Sequence, residues 1–269
     1  MGLASAQDFQ NLSDASGTAN RGLFCTNLAW GDYDGDGNLD LYATNWGTAV
    51  SSNTVNALYH NEGNGSFTNQ AVAAGVDNNK NSTAAAFADY DNDGDLDLYV
   101  ADFYEQDFLY QNDGDDTFTE VGRSRGLIDL IRQGSVTSVA WGDYNGDGWL
   151  DVYTGKYYFA NELYENRGDG SFLQVTDLGL GDQRDTDDVL FADYDNDGDL
   201  DLYTVNREQE NGFYRNDLNT TSTFPEIACA LSIANGEIGH GGSWADYDND
   251  GDLDLYLANV GANALYRND

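Results

Sequence analysis

The chain has 269 residues, 48 of them acidic against 11 basic, for a formal net charge of -37, which repels nucleic acid and anionic membranes from most of its surface. Its 40% hydrophobic and 13% aromatic content predicts a packed core, and no apolar run approaches the roughly 18 residues of a membrane span. MGLASAQDF is too short to hold a signal peptide's apolar region, and two cysteines cannot build a disulfide framework, so Cys25 and Cys229 are expected as small buried hydrophobes.

In chain order, the first predicted element is a strand over about 7–13, with Phe9 in the place that Phe67 takes later. Five repeating units follow, at about 25–73, 82–122, 136–176, 186–229 and 239–269. Each begins with a strand of small and apolar residues, such as STAAAFADY, that runs into an acidic loop; a strand of the LDLYVADF kind leaves it with period-two alternation. A third strand ends in tyrosine and an asparagine-rich turn, as in LYHNEGNG from Leu58 and LYENRGDG from Leu163. A fourth opens on an aromatic residue, Phe67, Phe118, Phe172 or Phe224. Four strands per unit, one proline and no helical periodicity predict an all-β protein, a five-bladed β-propeller of four-stranded antiparallel blades, in one domain over 1–269. The N-terminal strand is expected to complete the last blade and close the ring, leaving no open edge. A solenoid would instead need capping units at both ends.

The acidic loop recurs as WGDYDGDGNLDLY, FADYDNDGDLDLY, WGDYNGDGWLDVY, FADYDNDGDLDLY and WADYDNDGDLDLY. Its first aspartates are 57, 54, 50 and 53 residues apart. An acidic surface adapted to salt scatters its charges, whereas these are phased. The pattern D-x-[DN]-x-D-G-x-x-D sets oxygen donors at positions one, three, five and nine and a backbone carbonyl at seven, with glycine for the sharp turn, a donor set suited to Ca²⁺. The predicted ligands, with the carbonyl residue fourth in each set, are Asp32, Asp34, Asp36, Asn38 and Asp40; Asp89, Asp91, Asp93, Asp95 and Asp97; Asp143, Asn145, Asp147, Trp149 and Asp151; Asp193, Asp195, Asp197, Asp199 and Asp201; and Asp246, Asp248, Asp250, Asp252 and Asp254. One ion per blade, about five in all, is expected. Without a cation, each close carboxylate pair would repel by about a few kcal/mol at an effective dielectric near 20. Magnesium prefers stricter octahedral geometry and its own water, and zinc lacks histidine and cysteine partners in the motif.

These loops and the LY-x-N-x-G-x-x-F hairpins resemble the FG-GAP/VCBS repeats of integrin α-subunit propellers and of many bacterial extracellular proteins. The resemblance covers nearly the whole chain. It implies a propeller whose calcium loops join the first and second strands of each blade, in an extracellular or cell-surface protein whose signal peptide has been removed. Integrin propellers have seven blades against five here, so neither ring size nor ligand carries over.

Strand order puts the calcium loops on one face and the two-to-three loops and blade connections on the other. Fifteen of the 18 tyrosines recur in register. The other three, Tyr104, Tyr157 and Tyr158, fall in two-to-three loops, as does Trp46. Eight cations map to this second face or its approaches: Arg21, Lys80, Arg123, Arg125, Arg132, Lys156, Arg184 and Arg207. Irregular aromatics and guanidiniums on a regular scaffold mark a recognition surface, so Trp46, Tyr104, Arg132, Lys156, Tyr157, Tyr158, Arg184, Arg207 and His240 are the predicted ligand-binding residues. The expected function is a calcium-stabilised binding or adhesion module, monomeric unless part of a longer chain, for a glycan or an extracellular protein, without nucleic acid or membrane insertion. The alternative is a polysaccharide-processing enzyme, a glycosidase or lyase, drawing on Asp187, Asp188, Glu105, Glu208 or Glu237 with His240 at the channel mouth. No recognisable catalytic motif surrounds them, and no catalytic residue is assigned.

Overall fold

The computed structural model of the chain describes residues 10–20, 23–47, 55–127 and 135–269. A helical turn, α1 (Ser13–Ser16), precedes the first blade, formed by β1 (Phe24–Gly31), β2 (Asp40–Trp46), β3 (Ala57–Asn61) and β4 (Phe67–Asn69). After α2 (Ala71–Ala74), the second blade holds β5 (Ser82–Ala88), β6 (Asp97–Asp102), β7 (Phe108–Asn112) and β8 (Phe118–Glu120). The turn α3 (Gly122–Arg125) leads to the third: β9 (Val136–Gly142), β10 (Asp151–Lys156), β11 (Glu162–Asn166) and β12 (Phe172–Val175). The fourth contains β13 (Thr186–Ala192), β14 (Asp201–Asn206) and β15 (Gly212–Tyr214), and the fifth β16 (Gly239–Ala245), β17 (Asp254–Asn259) and β18 (Ala264–Tyr266). Every pairing is antiparallel between sequence neighbours, giving the predicted five-bladed β-propeller.

Two outer strands depart from expectation. In the fourth blade the strand expected at Phe224 shrinks to one bridge, Tyr214 with Glu226, beside Pro225, which has no N–H to give the ladder. For the fifth blade, the strand expected over 7–13 falls partly outside the described residues. Gln10–Leu12 are not in a strand and Ser13 already opens α1. That turn nevertheless keeps the pitch of its counterparts. Gly17 approaches the Phe67 carbonyl of the first blade as Gly75 approaches that of Phe118 and Gly126 that of Phe172, all three in left-handed backbone.

The core lies between blades. Tyr42, Tyr99, Tyr153 and Tyr203, all from the LDLY-type strands, are essentially fully buried, as are Leu58, Leu109, Leu163 and Phe213 from the third strands. Successive first strands pack side by side around the centre, and Gly31 and Gly142 let the next blade's phenylalanine come close: an added Cβ would meet Phe87 at 2.8 Å and Phe191 at 2.9 Å. A polar latch crosses each junction. The asparagine at the end of the third strand, or two residues beyond it in the last two blades, donates from Nδ2 to the loop tyrosine carbonyl of the preceding blade: Asn112 to Tyr33, Asn166 to Tyr90, Asn216 to Tyr144 and Asn268 to Tyr194, all at 2.7–2.8 Å.

Candidate functional site

The acidic loops are built alike. Their fourth position, Gly35, Asn92, Gly146, Asn196 or Asn249, lies at φ 57–72°, and the glycine at the sixth at φ 89–102°. Only glycine and, less easily, asparagine accept that conformation cheaply, which explains the pattern. The first aspartate is held by the amide of the sixth residue, as Gly94 N–H donates to Asp89 Oδ2 at 3.0 Å and Gly148 N–H to Asp143 Oδ2 at 2.8 Å. The fifth takes the amide of the seventh, Asn38 to Asp36 at 2.7 Å and Trp149 to Asp147 at 2.9 Å. At position seven the shared contact is this backbone amide, while the side chain differs from blade to blade.

The ninth aspartates are buried and tie strands together. Asp97 accepts the amides of Tyr90 at 3.1 Å and Asn112 at 2.8 Å, and Asp40, Asp151, Asp201 and Asp254 repeat the arrangement. Burial, only partly offset by these amides and reinforced by the neighbouring loop carboxylates, pushes Asp97, Asp151 and Asp201 up to about 7. Burial raises Asp34, Asp91 and Asp195 as well. Ligand oxygens of Asp32, Asp34 and Asp40, and of Asp89, Asp91 and Asp97, lie within 4.8 Å of one another, as do those of Asp193, Asp195 and Asp197 and of Asp246, Asp248 and Asp250. Asp32 Oδ1 and Asp91 Oδ1 are buried without a hydrogen-bond partner, a costly state for a carboxylate. Orphaned oxygens, converging carboxylates and a nearly all-oxygen donor set fit calcium. In the first blade His60 adds a nitrogen, its Nδ1 3.0 Å from Asp34 Oδ2.

On the opposite face the irregular aromatics form one continuous arc. The Trp46 ring lies 5.0 Å from Phe103 and 5.6 Å from Tyr104, Phe103 is 6.2 Å from Tyr157, and Tyr157 is 6.1 Å from Tyr158. The Arg207 guanidinium sits over Tyr157, 4.9 Å from its centroid, and reaches Asp187 Oδ2 at 3.3 Å. His240 Nδ1 meets the same oxygen at 3.1 Å. Residues from all five blades are thus joined. Tyr158 is 71% exposed at φ 68°, an unfavourable conformation for a bulky residue, and Asp185 Oδ1 accepts its amide at 2.7 Å.

Asp187 and His240 owe their aim to a bulge. Each first strand slips by one residue against its partner, at Thr26, Thr83, Thr137, Asp187 and His240. Each threonine donates to the first-strand carbonyl of the next blade, Thr26 to Ser82 and Thr83 to Val136 at 2.6 Å and Thr137 to Thr186 at 2.5 Å. In the last two blades an acid and an imidazole take that place and meet each other. A bulge re-aims a side chain in this way, commonly beside functional sites. The signal is present in the sequence, six residues before the first loop aspartate of every unit, where threonine gives way to Asp187 and His240. Phe103, which bridges the arc, is absent from the predicted residues although it shares the register of Trp46, Tyr157 and Arg207, six residues after the ninth loop aspartate.

Other predicted ligand residues are placed elsewhere. Lys156 is 2% exposed and its ammonium lies 2.6 Å from Glu162 Oε2. It occupies the buried end of the second strand, where other blades have Asn45, Asp102, Asn206 and Asn259. Arg184 is locked between blades: Nε donates to both oxygens of Asp182, at 2.8 and 2.9 Å, and an Nη to the Tyr214 hydroxyl at 2.9 Å. Arg125 turns away from the second face to Gln111 Oε1, 3.1 Å away. Lys80 does stand in this face's connections, paired with Glu105 at 2.7 Å. Arg21 and Arg132 lie outside the described residues. The expectation of buried cysteines is corrected, since both are exposed. Cys25 shares a register with the fully buried Ser82, Val136 and Thr186, but lies on the first blade's uncovered side; Cys229 lies in an exposed turn.

Five antiparallel blades, four of them with three clustered carboxylates in their loop, define a repeat propeller of the acidic-loop class. Residues 46–100, 89–154, 157–204 and 193–257 match the FG-GAP-like repeat, and the chain belongs to that family. Over 154 residues it is 27% identical to cartilage acidic protein 1 of Xenopus tropicalis, a stretch that makes up 55% of this chain. The chain spans only 23% of that relative's length. Among solved structures, it is similar to an Agrocybe aegerita lectin that recognises non-reducing terminal N-acetylglucosamine, with TM-score 0.54 and 17% identity over 95% of this chain and 68% of that one. It is also similar to Saccharomyces cerevisiae Sqt1, with TM-score 0.56 and 12% identity over 88% of this chain and 56% of that one. At these identities the structural likeness speaks for the fold. Among the described residues, no helix is long and apolar enough to cross a membrane.

Proposed function

We propose that this propeller is an extracellular binding module, its blades stabilised by calcium on one face, that takes a glycan on the other. The observation that carries this is the aromatic arc from Trp46 through Tyr104 to Tyr158, ending at Arg207, Asp187 and His240. Exposed rings offer flat apolar faces for sugar rings, and the polar end supplies orientation. The acidic surface favours a neutral glycan over a polyanionic one. The lectin among the structural neighbours and the extracellular settings of FG-GAP repeats lend support. A protein ligand would use the same rings as anchors.

The unfavourable backbone at Tyr158 sharpens the test. Asparagine accepts the left-handed region more easily, so Tyr158→Asn is expected to leave stability unchanged or raise it by up to about 1 kcal/mol, while glycan retention falls at least about tenfold. A glycan array probed with both proteins in calcium measures the second effect and thermal melts the first. An array on which the wild type retains no sugar, or on which Tyr158→Asn binds equally, removes the glycan reading.

A second reading rests on the Asp187–His240 pair. An aspartate that fixes one imidazole nitrogen leaves the other aimed outward for proton transfer, and Asp188, raised by burial, stands beside it. A polysaccharide-processing enzyme would release shortened or unsaturated sugars from the same array, and a binding module would not.

A further inference from the structure

One position holds four residue types across the five blades, the residue between tyrosine and asparagine at the end of the third strand or just beyond it: His60, Gln111, Glu165, Arg215 and Arg267. It faces the blade's own acidic loop. His60 Nδ1 is 3.0 Å from Asp34 and Gln111 Nε2 donates to Asp91 Oδ2 at 2.7 Å, while Arg267, ion-paired with Asp269 at 2.6 Å, comes within 3.9 Å of Asp248. Arg215 is paired with Asp217 at 2.9 Å. In the first, second and fifth blades the group thus faces the third loop position, and Arg215 holds the same register in the fourth. In the third blade that position is the neutral Asn145, and the strand residue is the acid Glu165, which accepts from the Tyr144 hydroxyl at 3.3 Å.

With histidine neutral, the four loop ligands and the strand residue carry four formal negative charges in blades one to three and three in blades four and five. In the third blade Glu165, which lies 3.6 Å from the Arg167 guanidinium, restores the formal charge that Asn145 omits. The acids at the seventh position in blades four and five keep their charge but point away from the ligand cluster, toward neighbouring amides. Asp199 accepts from Asn219 at 2.6 Å and Asp252 from Asn196 at 2.8 Å.

We propose that this third-strand residue sets the cation affinity of its own blade's loop, so that the five calcium sites form a tight class in blades one to three and a weak class in blades four and five. The inference rests on the calcium reading. The number and charge of ligands tune calcium affinity over orders of magnitude, and a guanidinium beside a ligand carboxylate opposes an arriving dication. Arg215 and Arg267 are 40% and 52% exposed, so solvent and salt weaken the effect, and a step of about tenfold per arginine is expected.

Titration of the 269-residue protein with calcium against a competing chelator tests this directly. The wild type should show three tight and two weaker sites, and Arg215→Gln with Arg267→Gln should merge them by tightening the weak pair about tenfold. Glu165→Gln should move one site from the tight class to the weak. Lys80→Gln, which removes one positive charge on the far face, should leave the isotherm unchanged. An unaltered isotherm in the double arginine variant, or an equal shift at all five sites, overturns the inference while leaving calcium binding intact. No calcium uptake by the wild type removes the calcium reading itself.

Discussion

The third blade and the two terminal blades carry nearly the same sequence but live in different surroundings. Tyr153 of the third is fully buried, whereas Tyr256, at the same position in the fifth, is 44% exposed. Leu163 and Leu265 differ likewise. On the first blade Trp30 is 57% exposed and Leu28 and Leu39 stand equally open, while Trp141, its counterpart, is partly covered by Tyr99 and Phe172. Asn61 repeats the pattern in hydrogen bonds. Among the described residues its Nδ2 reaches only its own blade, at Leu39, where four counterparts also latch the preceding blade. A blade is thus half an interface, and the stability of a repeat array lies in its junctions.

The largest expected effect tests that difference. Tyr153→Ala removes a wholly buried ring and should cost about 3–5 kcal/mol, while Tyr256→Ala should cost under about 1 kcal/mol. Denaturant melts of the two variants in saturating calcium measure the gap. Equal losses would mean that the fifth blade's open side is covered in solution, as it would be in a ring closed onto the first blade.

The next effect concerns a junction that adds a buried carboxylate's ion pair to packing. Asp182 is buried, which by itself would raise it, but the Arg184 guanidinium and the Tyr214 hydroxyl hold its carboxyl below the ordinary range. Arg184→Met strands that carboxylate between the third and fourth blades and should cost about 3 kcal/mol at pH 7. A depressed carboxyl contributes stability above its unfolded value of about 3.9 and loses it as pH falls through the lower folded value. The penalty of Arg184→Met should therefore shrink below about pH 4. Melts of both proteins across that range check the sign, and a penalty that grows on acidification would mean Asp182 is not the partner that matters.

Much of this architecture is legible in the sequence itself. Blade count, strand order and loop positions follow from spacing, because each acidic loop needs glycine or asparagine at its left-handed positions and cannot drift in register. The second face was legible in part. Trp46, Tyr104, Tyr157, Tyr158, Arg207 and His240 are joined as residues that break the repeat, since a side chain out of register has no structural duty to explain it. Lys156 and Arg184 broke the repeat as well, but each is taken up by an acid close to it in sequence, Glu162 six residues on and Asp182 two residues back, and spacing alone does not show which side chains such pairs bury. The exposure of Cys25 was hidden for a related reason. Its register marks it as buried, and only its place on a terminal blade uncovers it.

The smallest expected effect isolates the latch from the packing around it. Asn166 and Asn61 make the same contacts within their blades: Asn166 Nδ2 donates to Leu150 and its Oδ1 accepts from Gly168, as Asn61 does with Leu39 and Gly63. Asn166 adds a single bond across the junction, 2.7 Å to the Tyr90 carbonyl. Replacing each by alanine removes the shared contacts in both, so the difference between the two losses reports the crossing bond alone. It should be about 1 kcal/mol, rising toward about 2 because the Tyr90 carbonyl is left buried and unpaired. Hydrogen exchange at the Tyr90–Asp97 and Tyr33–Asp40 loops gives an independent check. Asn166→Ala should speed exchange in the loop of the neighbouring second blade, whereas Asn61→Ala should change only its own. Equal losses from both variants would place the strength of each junction in its buried tyrosines and not in the latch.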